Sequence, residues 1–483
     1  MSLGVALQIS QNSLSNVSRQ TNTIARNISG ADDPNYTRRY AVVESESLGS
    51  RVSVMRVQIE QNLTRSGLEA QSRTSAQSLL AQQFARLGET INGVDGERSA
   101  FAAIGALQDR LQVWSVDPSN GLLGSAVLQD AKTVVSTLHS GTREIERMRI
   151  DADLNIARDV SRLNELLQDF QAVNARVIDG QQSGLSDLDA FDERAALLSE
   201  ISQIVPVTTI SRENGDMALY TGGTTLFETV PRPVAFTPSA TLGPGTTGGV
   251  VTVDGLQIRA GQNANSTARG SIAANLQLRD TVLPQAQSQL DEIARGLIAA
   301  FSESGTGVPD QTGLFDYPGG PGLPADGTVV AGLAGTISIN ASFDPAQGGN
   351  INFLRDGGAN GAAYVANGTG EVGFADRLIA LTGEMTASRN FDTDTGLDGQ
   401  QGLVAFSSSA IGWLDGQTAD AGRERDIRQA VHERLQATIA DERGVDVDAE
   451  MSRLLELERA YEASARMIAT VDEMLNSLFA ATR

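Results

Sequence analysis

The sequence predicts a mainly α-helical protein with inserted β segments. Apolar residues recur at alternating steps of four and three near the amino terminus, and a comparable stripe closes the chain. Alternation of period two occurs only in internal stretches. We therefore expect a long helical bundle and terminal coiled-coil helices from both chain ends, with the β segments forming a β-rich outer domain.

The first predicted element is a helix with a coiled-coil seam. Its seam includes two polar positions, Ser10 and Thr21. The apolar seam positions are Leu3, Leu7, Leu14, Val17, Ile24 and Ile28. Such a narrow stripe predicts a helix that packs against one partner helix.

The next predicted helices cover residues 66–92, 98–113, 125–147 and 152–180. After Pro206 the period changes to two, and Asn214-Gly215 and Asp254-Gly255 supply turn residues for two hairpins. Helix is predicted again over 270–303, interrupted near Pro284, because proline cannot continue the helical hydrogen-bond ladder.

The remaining interior alternates once more between irregular and helical patterns. Residues 304–375 are rich in glycine and proline and predict a loop-rich β region with a strand candidate at 336–341. Helices are predicted over 376–388 and 419–440. We expect three domains: 1–60 with 425–483 as terminal coiled coil, 61–205 with 270–303 and 376–424 as helical bundle, and 206–269 with 304–375 as β-rich outer domain.

The last predicted helix begins near Asp446 or Asp448, either of which suits a helix N-cap, and runs to about Phe479. Its apolar stripe contains Met451, Leu454, Tyr461, Ala465, Ile468, Leu475 and Leu478. An isolated amphipathic helix gains little stability without a partner, so the two chain ends are expected to pair. Because termini usually fray, regular seams at both ends favour burial in a multi-subunit assembly.

Composition argues against several classes of function. The 483 residues include 59 acidic and 37 basic residues, a net charge of -22 that disfavours nucleic acid and anionic membranes as partners. There is no cysteine, and His139 and His432 are the only histidines, so no thiolate or imidazole metal cluster and no cofactor are expected. The amino terminus has no features of a cleaved secretory signal, and no apolar run is long enough to cross a membrane.

Three segments carry a resemblance to a known family. The first, residues 27–39, contains Asn27, Pro34 and Tyr36, with Gly30 where the family has asparagine. The second, residues 189–202, contains the motif residues Asp189, Asp192, Arg194, Leu197 and Leu198. The third, residues 444–478, covers the last predicted helix and the few residues before it.

The carboxylates of 187–193 also suit a calcium loop, but a helix cap is the favoured interpretation because the glycine turn and terminal glutamate are missing.

The first and third segments resemble those of bacterial flagellar axial proteins. The second segment, together with 270–301, is similar to the hook-associated protein 1 family. This resemblance implies a structural, non-enzymatic protein that assembles at the hook-filament junction and joins hook to filament. Its assembly interface would comprise Leu7, Leu14, Val17, Ile24, Asn27, Ile28, Pro34, Tyr36, Leu454, Tyr461, Ile468, Leu475 and Leu478.

The resemblance also implies partners and a location. The partners would be further copies in a ring or helical assembly, the hook protein, the second junction protein, and an export chaperone on the carboxy-terminal helix. The protein would be extracellular, exported unfolded through the flagellar type III apparatus. Alternatives are another axial protein, whether hook, rod or second junction protein, and a secreted cell-wall-acting enzyme, because an acidic chain always offers paired carboxylates.

Overall fold

A computed structural model describes residues 3–33, 35–46, 49–58, 60–93, 99–183, 187–258 and 268–481. The chain divides into two compact units. The terminal unit, which contains both chain ends, comprises Met1–Ser72, Leu163–Pro233 and Gln429–Arg483. The central unit comprises Arg73–Arg162 and Val234–Arg428. The three-domain division expected from the sequence stays a prediction.

Helices dominate the described residues, which confirms the predicted fold class. They are α1 (Leu3–Ser29), α2 (Gln61–Ile91), α3 (Ala100–Val116), α4 (Gly121–Gln182), α5 (Leu188–Ile204), α6 (Gly270–Gln277), α7 (Leu283–Ala300), α8 (Leu333–Thr336), α9 (Phe353–Asp356), α10 (Asp376–Glu384), α11 (Leu403–Arg443) and α12 (Val447–Ala481). In the part of the chain that the structure describes, no helix combines the length and apolarity needed to cross a membrane.

The strands form six small antiparallel sheets in the described residues. The terminal unit contains the hairpin β1 (Arg39–Glu46) and β2 (Gly49–Arg56) and the meander β3 (Thr208–Ser211), β4 (Met217–Thr221) and β5 (Thr224–Phe227). The central unit contains β6 (Val234–Ala235), β7 (Thr252–Val253), β8 (Leu256–Gln257), β9 (Glu303–Gly305), β10 (Val308–Gln311), β11 (Phe315–Asp316), β12 (Ser338–Ile339), β13 (Arg389–Asn390) and β14 (Gln400–Gln401).

Both predicted hairpin turns are present. Asn214 and Gly215 have φ values of 61° and 76° and lie in the five-residue connection between β3 and β4, while Asp254 and Gly255 have φ values of 51° and 81° and are the two residues between β7 and β8. Asparagine, aspartate and glycine tolerate this left-handed backbone, which gives two-residue hairpins the correct twist. The β1–β2 hairpin was not predicted, because its region was assigned to the terminal coiled coil.

The sequence predicts two helices, over 125–147 and 152–180, and the break between them is wrong. Helix α4 is one continuous helix of 62 residues. Met148, Ala152 and Ile156 are each buried, so the apolar stripe continues across the expected break at steps of four. No glycine or proline lies in that interval. The helix therefore continues without a break.

The predicted start of the helix at 419 is also wrong, because α11 begins at Leu403. Gly412, Gly416 and Gly422 lower the helix propensity of this stretch. Leu403 and Phe406 are fully buried and belong to the core of the central unit. Tertiary packing thus overrides the local preference.

The interruption predicted near Pro284 is present as a single π-helical turn, Leu278–Val282, between α6 and α7. Proline removes one backbone donor and clashes with the carbonyl four residues earlier, and a wider turn at this point accommodates both effects. Pro284 itself lies in the first turn of α7.

Candidate assembly interface

The two chain ends pair in the terminal unit through α1 and α12. Ser13 Oγ and Ser464 Oγ lie 3.1 Å apart across this contact. Among the predicted seam residues, Val17 and Ile24 are buried. The half-buried seam residues are Leu7, Leu14, Ile28, Leu454, Ile468 and Leu475. Tyr461 is 47% exposed, whereas Pro34 and the side chain of Leu478 lie outside the described residues.

A second surface of α1 packs on the β1–β2 hairpin. Asn16, which is buried on α1, donates from Nδ2 to the carbonyl oxygen of Ser50 at 2.7 Å and to its hydroxyl at 2.8 Å. Val52 of β2 is 3% exposed. An isolated two-stranded ribbon is marginally stable, so the helix supplies the packing surface that the hairpin needs.

Asn27 fixes the loop that follows α1. Its Nδ2 donates to the Arg39 carbonyl at 2.8 Å, and its Oδ1 accepts from the Arg39 amide at 3.0 Å and from the Tyr36 hydroxyl at 2.9 Å. The side chain is fully buried, where an unpaired amide would be costly. One asparagine thus closes the loop onto the start of β1.

The ring of Tyr36 leaves no room for a side chain at position 30. A Cβ placed on Gly30 would lie 2.6 Å from two ring carbons of Tyr36, well inside van der Waals contact. The family asparagine at this position is therefore incompatible with the ring as it lies here. Burial raises the pKa of the Tyr36 phenol, which keeps it a hydrogen-bond donor to Asn27.

Arg39 joins the first motif to the second. Its Nη2 atom lies 2.6 Å from Asp189 Oδ1 and 2.9 Å from Asp192 Oδ2, and its guanidinium lies 5.0 Å from the centre of the Tyr36 ring. Arg39 is 3% exposed, whereas Asp189 is 66% exposed. Burial raises the pKa of Asp192, and the contact with Arg39 opposes that shift.

Asp187 is the N-cap of α5, where its Oδ1 accepts from the Ala190 amide at 3.0 Å. This observation supports the helix-cap interpretation of 187–193. The motif residue Leu198 is buried, and Leu197 packs against the cluster of Val173, Val177, Ala190 and Phe191.

Arg194, from the same motif, is buried with neutral acceptors. It donates to Asn174 Oδ1 at 2.9 Å and to the Gly215 carbonyl at 2.6 Å, and Asn174 donates in turn to Asp216 at 2.8 Å. Burial lowers the pKa of Arg194 to about 10. This motif arginine therefore positions the β3–β4 turn against α4 and α5.

The third motif meets the first beside the start of α12. Arg38 Nε donates to Glu450 Oε1 at 2.8 Å, and the Arg38 amide donates to the Arg443 carbonyl at 2.9 Å. Glu450 is 2% exposed, and Asp446 caps α12 by accepting from the Ala449 amide at 3.0 Å. All three motifs are thus joined within the terminal unit.

Sequence reasoning missed the residues that make these connections. Arg39 and Glu450 lie inside the recognised motifs, but no local pattern indicates their partners. Arg56 was also missed, and its guanidinium lies 4.1 Å from the centre of the Phe191 ring. Among the described residues, no group of three or more His, Cys, Asp and Glu side chains could hold a metal ion.

The chain is similar to known flagellar proteins. Residues 84–313 match the family described as flagellar hook-associated protein FlgK helical domain, and residues 442–480 match flagellar basal body rod FlgEFG protein C-terminal. Flagellar hook-associated protein 1 of Bacillus subtilis is 21% identical over 522 aligned positions, covering 98% of this chain and 97% of that protein. Its Salmonella typhimurium counterpart is 22% identical, covering 60% of this chain and 55% of that protein.

A solved structure also shares the fold. The flagellar hook junction protein FlgK from Burkholderia pseudomallei aligns with a TM-score of 0.56 at 12% sequence identity. The alignment covers 78% of this chain and 99% of the other. At this level of identity, the likeness concerns the fold alone.

Proposed function

The chain belongs to the flagellar hook-associated protein 1 family, and from that premise we propose how it performs its structural role at the hook-filament junction. The observation that carries the proposal is the pairing of α1 with α12, which brings both chain ends into one unit. We propose that this helical pair repeats around a tube, with the hook protein on one side and the second junction protein on the other.

The partly exposed apolar side chains on α12 support this assembly. Tyr461 lies at a seam position yet is 47% exposed, and Leu455, Met467 and Met474 are between 50% and 56% exposed. Large apolar side chains along one helix are the type of surface that subunit contacts cover. We propose that Leu7, Leu14, Ile28, Leu454, Ile468, Leu475 and Leu478 contribute to the same contacts, and Val17 and Ile24 maintain the helical pair.

The loop of the first motif has a different role in the proposal. Asn27 and Tyr36 connect α1 to β1, and Asp189, Asp192 and Arg39 connect that strand to α5. Arg194, Leu197 and Leu198 are assigned the same role of positioning, whereas Pro34 stays a predicted assembly residue. The helical pair would therefore be presented at a fixed angle to the rest of the terminal unit.

Export and catalysis complete the proposal. The protein would travel unfolded through the flagellar type III apparatus to an extracellular position, with a chaperone covering α12 before export. Its work would be mechanical, without turnover of a substrate. The absence of catalysis would be contradicted if the protein hydrolysed a cell-wall substrate and lost that activity when one carboxylate was replaced in a variant that still folds.

Deletion of residues 450–483 tests the central point. We expect the truncated chain to be exported and to fold in its central unit, but to be missing from flagella, because α1 loses its partner helix. Immunolabelling of purified flagella measures incorporation. Val372→Ala is the matched control, since Val372 is 66% exposed in the central unit and should assemble normally. Normal junctions in cells that carry only the truncation would contradict the proposal.

A further inference from the structure

The terminal unit contains a cavity of about 650 Å³ that the proposed role of the motifs does not use. The end of β2, the start of α2, α5, β3 and the end of α11 surround it. Leu68, Phe191, Leu198 and Ile439 provide apolar wall. A cavity of this size admits a few side chains of another molecule but not a whole helix.

The charged side chains in the described lining of the cavity are all cationic. Arg56, Arg65, Arg194 and Arg443 line it, and no aspartate or glutamate belongs to the described lining. Arg56 lies against the Phe191 ring, and no hydrogen bond or ion pair of its guanidinium occurs among the described residues. Arg194 donates to a neutral amide oxygen and a neutral carbonyl, and its guanidinium lies 5.1 Å from the centre of the Phe191 ring. These two arginines are therefore charged groups without a direct counter-ion.

Asp192 does not form an ion pair with Arg56. Asp192 attracts Arg56 from a distance, but its own ion pair is with Arg39. Arg56 is half-buried, and this burial lowers the pKa of its guanidinium. A hydrogen bond from a guanidinium to a carboxylate is roughly twice as strong as a bond between neutral groups, so a carboxylate is the favoured partner for Arg56.

The chain presents a complementary segment at the far end of α12. Asp472 and Glu473 are exposed and form no ion pair among the described residues, and Met474 beside them is 50% exposed. Two carboxylates next to a flexible apolar side chain match a cavity with arginines and apolar walls. Because the whole chain carries a charge of -22, a cationic cavity favours contact with an acidic segment of another copy.

This segment cannot reach the cavity of its own chain. Helix α12 begins beside the cavity, since Arg443 lines the cavity and Glu450 pairs with Arg38. Met474 lies 27 residues beyond Val447 on that helix, which is roughly 40 Å at about 1.5 Å per residue. Only a second copy can therefore deliver its helix end.

We propose that the cavity binds the acidic end of α12, Asp472 to Met474, from a second copy of this chain. The contact joins the two opposite ends of α12, so it is heterologous and repeats head to tail. It rests on the proposed function, because it specifies one of the contacts by which the junction assembles. Arg56 pairs with the incoming carboxylates, and Met474 contacts the apolar wall.

Engineered cysteines test this contact directly, because the natural chain has none. Ser211 lies at the rim of the cavity on β3, and the test variant combines Ser211→Cys with Met474→Cys. Flagella purified from cells that make this variant are oxidised and analysed by non-reducing electrophoresis. We expect disulfide-linked dimers and longer ladders.

The matched control combines Ser211→Cys with Ala463→Cys. Ala463 is exposed and lies about 16 Å before Met474 on the same helix, beyond the reach of a disulfide, so we expect no ladder. Cross-linking is scored only in flagella that contain the variant at the junction. Normal incorporation without cross-links in the Ser211 and Met474 pair therefore overturns this contact and leaves the junction function standing.

Charge reversal provides the second arm. Both charge reversals are made in the variant that carries Ser211→Cys and Met474→Cys. Arg56→Glu should abolish the ladder. The double substitution Asp472→Arg and Glu473→Arg should also abolish it, and it leaves the cavity unchanged. Combining both reversals should restore it. Cross-links that persist in the Asp472→Arg and Glu473→Arg variant overturn the proposal. So does a combination of both reversals that fails to restore the ladder. The first of these results does not depend on whether Arg56→Glu disturbs the fold.

Discussion

Arg39 forms a 2.9 Å ion pair with Asp192, although 153 positions separate the two residues along the chain. Both side chains are largely removed from water, with 3% and 14% exposure. The pair connects strand β1 to helix α5 of the second motif. Asn27 also bonds to the backbone of Arg39, so Arg39 marks the end of the loop that follows α1. A single arginine therefore couples local and distant parts of the terminal unit.

Replacing Arg39 with methionine should destabilise strand β1. Removing one member of a buried ion pair leaves the other charge uncompensated, which costs about 3 kcal/mol. Hydrogen exchange of the β1 amides, read by mass spectrometry, measures the local opening free energy. Arg26→Met is the control, because its 3.6 Å pair with Asp189 is about two-thirds exposed and should contribute less than about 1 kcal/mol. Unchanged exchange in Arg39→Met would contradict this role.

The sequence could predict what depends on periodicity and turn chemistry. The seam of α1 and the turn at Asn214-Gly215 are local patterns, and both are present in the structure. It could not predict the partner of Arg39, because an arginine is compatible with many distant carboxylates. The β1–β2 hairpin was missed for a related reason: Val52 becomes a buried position only through packing on α1.

The cavity was likewise beyond sequence reasoning. Arg56, Arg194 and Arg443 are far apart in the chain, and nothing in the composition distinguishes them from the other arginines. The predicted residues of the second motif, in contrast, do lie together on α5. A motif predicts where residues act within one element, whereas a shared cavity depends on how several elements pack.

Introducing a side chain at Gly30 should disrupt the loop that Asn27 closes. The added Cβ of Gly30→Ala would meet the Tyr36 ring, and displacing that ring breaks its hydrogen bond to Asn27. Overpacking of this kind costs about 1–3 kcal/mol. Hydrogen exchange in 30–39 should reveal it, and a Tyr36→Leu background should reduce the effect.

Gly105→Ala is the control for that substitution. Gly105 lies inside α3 with nothing within 4 Å of an added Cβ, so alanine should stabilise this helix by about 0.5–1 kcal/mol. If Gly30→Ala behaved in the same way, the proposed contact with Tyr36 would have no energetic consequence.

Shortening Ile24 should weaken the pairing of the terminal helices. Ile24 is 7% exposed, and truncation of a buried isoleucine to alanine costs about 2–4 kcal/mol through lost burial and the cavity left behind. The exchange rate of α12 amides should rise in Ile24→Ala, together with a loss of incorporation into flagella. Ile9→Ala, at a position that is 43% exposed on the same helix, should leave the α12 amides protected. Equal effects of the two substitutions would argue against a specific seam.

Asp291 should make the stability of the central unit depend on pH. Burial raises the pKa of Asp291 to about 6, although the amides of Ala334 and Gly332 and the side chain of Gln287 donate to its carboxylate. The unfolded carboxyl has a pKa of about 3.9. Because the folded state binds the proton more tightly, the contribution of this group is complete below about pH 4 and is lost as the pH rises through about 6.

Asp291→Asn should therefore remove part of the fall in stability between about pH 4 and 6. Tryptophan fluorescence can follow thermal unfolding of the central unit across this range, since Trp114 and Trp413 both belong to it. Asp109→Asn, an exposed position on α3, should leave the pH profile unchanged. An Asp291→Asn protein that retains the full pH dependence would show that another group causes it. A smaller fall in stability over this range would identify Asp291, whose carboxylate accepts from the amides of Gly332 and Ala334, as a group that titrates.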